Sequence, residues 1–203
     1  MANFFQNTCK PQGLGGKLMV SMMNSGHTKM AKWGLGYLDI KENDTILDVG
    51  CGGGANISYM LKKASKGSVK GIDYSEISVE KSKKVNVDAI KNGRCEIVCG
   101  SVMEIPYYEE QFNIVTAFET VYFWQGLEKA FKQVYRVLKV GGVFFICNES
   151  NGKKLEDEKW TKVIDGMTIY SAEQLTDYLR VAGFSKVNVQ ENAKGWICII
   201  AEK

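Results

Sequence analysis

Thr45-Ile46-Leu47-Asp48-Val49-Gly50-Cys51-Gly52-Gly53-Gly54 is the stretch that decides how the rest of the chain is read. Five residues of buried-strand character run into a glycine-rich turn, and a helical pattern follows directly. Glycine suits such a turn because the backbone must bend sharply and approach a ligand with no side chain between them. The helix start behind it presents N–H groups that no helical carbonyl satisfies. Read alone, the loop is ambiguous, since Gly50-x-Gly52-x-x-Ala55 also satisfies the looser dinucleotide-binding fingerprint.

A second feature lies downstream. The segment Ser68-Val69-Lys70-Gly71-Ile72-Asp73 reads as a strand ending in a carboxylate 19 residues after Gly54. A carboxylate there can accept hydrogen bonds from both hydroxyls of an adenosine ribose.

Working outward, strands are predicted near 44–49, 68–73, 94–100, 112–118 and 142–148. Helices are predicted near 54–64, 75–92, 123–139 and 171–182. In the third of these, Leu127, Ala130, Phe131, Val134, Val137 and Leu138 form one apolar stripe, with Gly141 and Gly142 as its stop. The fourth opens on the capping-box pattern Ser171-Ala172-Glu173-Gln174 and closes at Gly183. Segments 184–191 and 195–202 are close enough to form a hairpin. Alternation of this kind implies a mostly parallel sheet covered on both faces, with one antiparallel strand from the hairpin.

The ends of this pattern are irregular. Residues 1–40 read as two short helices, Leu14–Asn24 and His27–Leu38, forming a cap on the core at 41–203. The 22 residues from Glu149 to Tyr170 exceed an ordinary strand-to-helix connection and suggest a lid or binding loop. No internal repeat or Pro-rich linker divides the 203 residues, so a single domain is expected.

Composition narrows the class. With 45% hydrophobic and 24% charged residues, the chain has the profile of a soluble globular protein. A net charge of +3 gives no reason to expect a polyanionic partner. Six cysteines without a Cys-x-x-Cys pair, and His27 as the sole histidine, give no recognisable metal spacing, so no metal is expected. Cys95 and Cys99 lie on one predicted strand, about 13 Å apart, too far for a disulfide. Free thiols and the lack of a secretory or spanning segment point to the cytoplasm, with no membrane partner.

Taken together, these motifs resemble the class I S-adenosylmethionine-dependent methyltransferases, from about residue 40 to the C-terminus. Asp48-Val49-Gly50-Cys51-Gly52-Gly53-Gly54 is similar to that superfamily's Asp/Glu-x-Gly-x-Gly-x-Gly loop, and Asp73 to its ribose-binding acid. Phe112-Asn113-Ile114-Val115 resembles its fourth strand, and Val137-Leu138-Lys139-Val140-Gly141-Gly142 its turn before strand five. The resemblance implies a Rossmann-like α/β fold, a seven-stranded sheet in the order 3-2-1-4-5-7-6, and S-adenosylmethionine as cofactor. Small-molecule enzymes of the ubiquinone and biotin pathways are the nearest in kind.

By the same resemblance, Gly50, Cys51 and Gly52 contact the cofactor by backbone, with Asp48 near its amino end. Asp73 holds the ribose, Tyr74 lies along the adenine, Ser101 and Val102 flank the adenine, and Glu119 borders the methionine tail. Ser101 departs from a common acid, Asn113 from a common Asp and Val140 from a usual Pro.

The acceptor is less legible. Ligands of open α/β sheets bind beyond the carboxyl ends of the strands. Phe118, Tyr122, Phe123 and Trp124 are candidates for a substrate wall there, joined by Trp160 and Tyr170 of the long loop. Core packing competes for the same aromatics. His27 and Tyr122 are candidate catalytic groups, His27 as a general base. The segment Ala117-Phe118-Glu119-Thr120 lacks the signature of amino-directed nucleic-acid methylases, and no Pro-Cys nucleophile occurs. A small-molecule acceptor is therefore expected, without nucleic acid. A non-catalytic cofactor sensor and a nicotinamide dehydrogenase are the alternatives.

Overall fold

The computed structural model describes residues 4–9, 11–153 and 157–203. Its strands are β1 (Thr45–Val49), β2 (Ser68–Asp73), β3 (Cys95–Cys99), β4 (Phe112–Phe118), β5 (Leu138–Asn148), β6 (Ser185–Glu191) and β7 (Ile197–Glu202). They form one sheet in the order β3-β2-β1-β4-β5-β7-β6. The first five strands pair in parallel, while β7 runs antiparallel to both β5 and β6.

Period-two alternation sorts the side chains between two core layers. On β1, Leu47 and Val49 join one apolar cluster with Phe131 and Val134 of helix α6 (Leu127–Val137) and Leu175 and Leu179 of helix α8 (Ala172–Ala182). Ile46 faces the opposite cluster, which includes Ile57 and Met60 of α3 (Ala55–Lys63) and Met30 and Ala31 of α2 (Thr28–Leu35). Helix α1 (Gly13–Gly26) precedes α2. Ser171 caps α8 with the expected capping box, and Gly183 ends it at φ 109°.

Four segments differ from the sequence reading. The long helix expected over 75–92 is two helices, α4 (Glu76–Val85) and α5 (Val87–Lys91). Asn86 breaks it, and its amide donates to the carbonyls of Gly54 and Ser82, both at 3.0 Å. A helix unit is thus exchanged for a tie to the glycine loop.

The helix expected over 123–139 covers only 127–137, with Val121–Phe123 a separate 3-10 turn. Strand β5 starts at Leu138, ahead of Gly141 and Gly142, and a register shift against β4 absorbs that turn. The 149–170 segment carries a short helix, α7 (Glu158–Val163). Its residues 154–156 lie outside the described residues.

Asn113, one of the departures in sequence, has a structural duty. Its Oδ1 accepts from the Thr45 amide and from Lys139 Nζ, both at 3.0 Å, pinning β1 and β5 to β4.

Candidate active site

At the carboxyl end of β1 the glycine loop turns beneath two connected cavities, with a third beyond them. Gly50 sits at φ 73°, and a Cβ there would meet Thr120 Oγ1 at 2.1 Å, so the position is closed to side chains. The amides of Gly50 and Cys51 both donate to the Ile72 carbonyl, at 2.8 and 3.0 Å. Gly52 donates to Asp73 Oδ2 at 2.9 Å. These N–H groups lock the loop onto β2, leaving its carbonyls and Cα atoms as the surface available to a ligand. Sequence alone does not reveal that division of labour.

Asp73 is 7% exposed, and its other oxygen accepts from the Ser75 amide at 2.9 Å. Burial pushes its carboxyl above the ordinary value, against the lowering effect of the Ser75 and Gly52 bonds. Asp48 behaves differently. It lies beneath the loop at 2% exposure, away from the cavity walls described here, and its Oδ1 accepts from Thr116 Oγ1 at 2.7 Å. Burial pushes it up to about 7, with the Thr116 bond opposing. This side chain supports the loop from below rather than lining a cavity wall.

The first cavity, about 110 Å³, lies between the loop residues Gly50 to Gly53, Asp73, Tyr74, Phe118 and Glu119, and the N-terminal residues Thr8, Cys9, Met23 and His27. The second, about 310 Å³, continues past Asp73, Tyr74 and Phe123 to Ser101, Val102 and Trp124. Gly50, Asp73, Tyr74, Thr120 and Phe123 line both, so the two are successive parts of one trough over the loop. The third, about 400 Å³, shares Thr8, Met23, His27, Glu119 and Phe123 with the first. Its outer walls are Tyr122, Glu149, Trp160, Ile164, Met167 and Trp196.

The roof of this trough comes from the chain start. Tyr74 donates its hydroxyl to the Cys9 carbonyl, and Ser75 Oγ donates to Pro11 O at 3.3 Å. Gln6 pairs reciprocally with the Asp165 backbone, at 3.1 and 2.9 Å, and Phe5 meets Trp160 edge-on at 5.7 Å. The N-terminal segment and the long loop thereby close over the site together. No local pattern signals that pairing, because it joins positions 159 apart.

Of the aromatic candidates, Tyr122, Phe123 and Trp160 reach the third cavity. Phe118 lines the first and packs on Phe145. Trp124 is 7% exposed and stacks parallel to Phe144, with an edge on the second cavity and none on the third. Tyr170 is excluded from all three. It meets Tyr178 edge-on at 6.3 Å and packs against the core. Both were drawn inward by large apolar neighbours, which reward burial of an aromatic face more than an open cavity does.

Where the first and third cavities meet stand His27, Glu119 and Glu149. Glu119, just past β4, holds φ 55°, a left-handed conformation that side chains seldom adopt. Its Oε1 accepts from the Glu149 amide and faces the Tyr122 hydroxyl at 3.4 Å. That hydroxyl in turn accepts from the Ser150 amide at 2.9 Å. Burial pushes Glu119 up to about 7, although His27 opposes it. For His27, burial lowers the imidazole, yet Glu149 and Glu119 outweigh it and the net shift is upward. Glu149 was missed in the sequence because nothing marks one exposed-looking acid at a strand end.

Comparison with known proteins decides what trough this is. A family described as "Methyltransferase domain" matches residues 47–146, from the middle of β1 to near the end of β5. The chain belongs to the class I S-adenosylmethionine-dependent methyltransferases. A Bacillus subtilis (strain 168) protein named only as a methyltransferase, YrhH, is 36% identical over 114 residues, covering 56% of this chain and 62% of its own. The 24-methylenesterol C-methyltransferase 2 of Arabidopsis thaliana is 29% identical over 143 residues, 70% of this chain and 38% of its own. This chain therefore spans less than two thirds of the length of either relative. The crystal structure of a SAM-dependent methyltransferase from Aquifex aeolicus superposes with a TM-score of 0.75 at 21% identity, covering 91% of this chain and 97% of that one.

S-adenosylmethionine is the cofactor of this methyltransferase family, and the dinucleotide reading of the glycine loop falls away. The residues present suit it. A polar ribose has Asp73 as a buried acceptor on the trough wall, and at Gly52, which also lines the trough, a Cβ would project into open space. Tyr74, Ser101 and Val102 lie along the second cavity, where an adenine ring has apolar walls. Among the described residues, no helix is long and apolar enough to cross a membrane.

Proposed function

We propose that this methyltransferase domain transfers a methyl group from S-adenosylmethionine to a small molecule seated in the third cavity. One observation carries the reading: Glu119, His27 and Phe123 line both the cavity on the glycine loop and the larger one beyond it. A donor held in the trough and an acceptor held beyond it would therefore meet at a shared wall.

The bound cofactor supplies an electrophilic methyl group on its sulfonium. The protein's task is then largely positioning, which is worth roughly 7–11 kcal/mol when reacting atoms are held near contact. Asp73 accepts from the ribose, Tyr74 and Val102 enclose the base, and the N-terminal cap, tied to Tyr74 and to the Asp165 backbone, roofs the trough. Gly50 and Gly52 keep the floor free of side chains. Phe123 and Tyr122 border the acceptor on one side, with Trp160 and Met167 on the other.

A cavity of about 400 Å³ lies within the range of small-molecule sites. Its walls mix Met23, Ile164, Met167, Ile169 and the aromatics with a few ionisable groups. This favours an acceptor with an apolar body and one polar end. The likeness to a sterol C-methyltransferase is in keeping with an apolar acceptor.

The test is to incubate the protein with S-adenosylmethionine and a panel of small nucleophiles, following S-adenosylhomocysteine release. Turnover with at least one acceptor, lost in Asp73→Ala, is expected. Tight S-adenosylhomocysteine binding with no turnover across a broad panel would instead favour a cofactor sensor.

A further inference from the structure

The meeting point of the donor and acceptor cavities gathers an imidazole and two carboxylates from three separate parts of the chain. His27 immediately precedes α2, Glu119 follows β4, and Glu149 follows β5. One donor atom from each lies within 4.8 Å of the others. His27 Nδ1 stands 3.7 Å from Glu119 Oε2 and 3.5 Å from Glu149 Oε1. We propose that His27, Glu119 and Glu149 bind one divalent first-row metal ion of the Mn²⁺ or Fe²⁺ kind, open toward the acceptor cavity.

Two observations separate this from an ordinary ion pair. His27 Nδ1 is itself shut off from solvent and has no hydrogen-bond partner. It is nearly equidistant from two carboxylates and too far from either for a hydrogen bond. Donors about 2.1 Å from a common ion, at tetrahedral to octahedral angles, stand roughly 3.0–3.5 Å apart, close to the spacing seen.

The second observation is that Glu119 is divided between two duties. Its Oε1 is held by the Glu149 amide, and the same carboxylate's Oε2 is the atom that faces His27. Such outer-shell anchoring orients a ligand before the ion arrives. The left-handed backbone of Glu119 is the strained feature that aims it there.

Nitrogen with two carboxylates suits Mn²⁺ or Fe²⁺ better than a thiolate-seeking ion, and better than Mg²⁺, which prefers oxygen alone. Three protein ligands leave coordination positions for solvent or for an oxygen of the acceptor. A hydroxyl coordinated there is more easily deprotonated and fixed in orientation. His27 would then act as a ligand rather than as the general base suggested by its sequence context. That consequence for the acceptor rests on the reading of the third cavity given above; the ion site itself does not.

The experiment is Mn²⁺ titration of the untagged, metal-stripped full chain, followed by electron paramagnetic resonance of the free ion. Mn²⁺ is chosen because the six thiols of the chain compete poorly for it. The expected result is stoichiometric binding, weakened at least about tenfold in both His27→Ala and Glu149→Gln. Asp157→Asn alters another acid of the same cavity and should leave the affinity unchanged. No stoichiometric binding, or equal weakening by all three substitutions, would overturn the proposal. Circular dichroism and S-adenosylhomocysteine affinity of each variant show whether it has folded. Retained cofactor binding without Mn²⁺ binding defeats the metal site alone and leaves the methyl-transfer reading standing.

Discussion

Thr116 Oγ1 donates to Asp48 Oδ1 at 2.7 Å, inside the sheet and beneath the glycine loop. Both residues are almost wholly buried, at 0% and 2% exposure. The bond opposes a desolvation that pushes Asp48 up to about 7. The folded carboxyl therefore takes a proton more readily than the unfolded one, so its contribution to stability is complete below about pH 4. It is lost progressively as pH rises toward 7, and is flat above. Each tenfold change in proton affinity is worth about 1.4 kcal/mol. Thermal unfolding should show a melting temperature that falls between pH 5 and pH 7.5, with a shallower fall in Asp48→Asn. Thr116→Val, which leaves the carboxyl without its donor, should cost roughly 1–3 kcal/mol near neutral pH. A melting temperature that rises over the same interval in wild type but not in Asp48→Asn would contradict the assignment.

Gly50→Ala tests the floor of the trough. The new methyl group would press on Thr120 Oγ1 at 2.1 Å, and φ 73° would strain any side chain. A loss of about 1–3 kcal/mol in stability is expected from the backbone alone. Calorimetry should find S-adenosylhomocysteine binding abolished or severely weakened. Undiminished affinity would show that the loop relaxes without consequence.

Asn86→Ala tests the tie between the α4–α5 break and the loop. Two buried carbonyls, those of Gly54 and Ser82, lose a donor together. We expect roughly 2 kcal/mol of destabilisation by chemical denaturation. Weaker S-adenosylhomocysteine binding should follow, because Gly54 terminates the loop.

The closed cap gives a prediction about motion. In Gln6→Ala the reciprocal pair with the Asp165 backbone is lost. Hydrogen exchange should rise in the segment around α7 while the strands of the sheet stay protected. Equal exchange in wild type and variant would mean that the other contacts of the roof, Phe5 with Trp160 among them, hold it without Gln6.

Trp160 and Tyr170 were equivalent candidates in the sequence and are not equivalent in space. Trp160→Ala, which opens one wall of the third cavity, should raise the acceptor KM several-fold once an acceptor is known. Tyr170→Phe should leave KM unchanged, because that ring packs against Tyr178 and the core. Opposite outcomes would place the acceptor elsewhere.

Much of this protein is written locally. The alternation of strands and helices, the capping box at Ser171, the glycine loop and the spacing to Asp73 are short-range patterns, and each reappears in the structure where its period or its turn chemistry put it. Periodicity reports which face a residue buries, so the two core layers on either side of β1 followed from alternation. Local pattern failed where a single side chain outweighed it. Asn86 marks the break in a helix where its side-chain amide ties the end of α4, at Ser82, to the distant Gly54 carbonyl, a contact invisible to helix propensity.

The site divides along the same line. Sequence by itself determined the sheet, the glycine turn at the end of β1 and the carboxylate at the end of β2, because glycine conformation and strand alternation are local necessities. Only the tertiary structure decided which aromatics face a cavity, that Asp48 lies under the loop, and that the N-terminal segment meets the long loop. It alone brought His27, Glu119 and Glu149 together from positions 27, 119 and 149. The physical reason is that a site at the ends of strands is assembled across the sheet. Its members are set by which strand ends stand side by side, and no spacing along the chain encodes that adjacency.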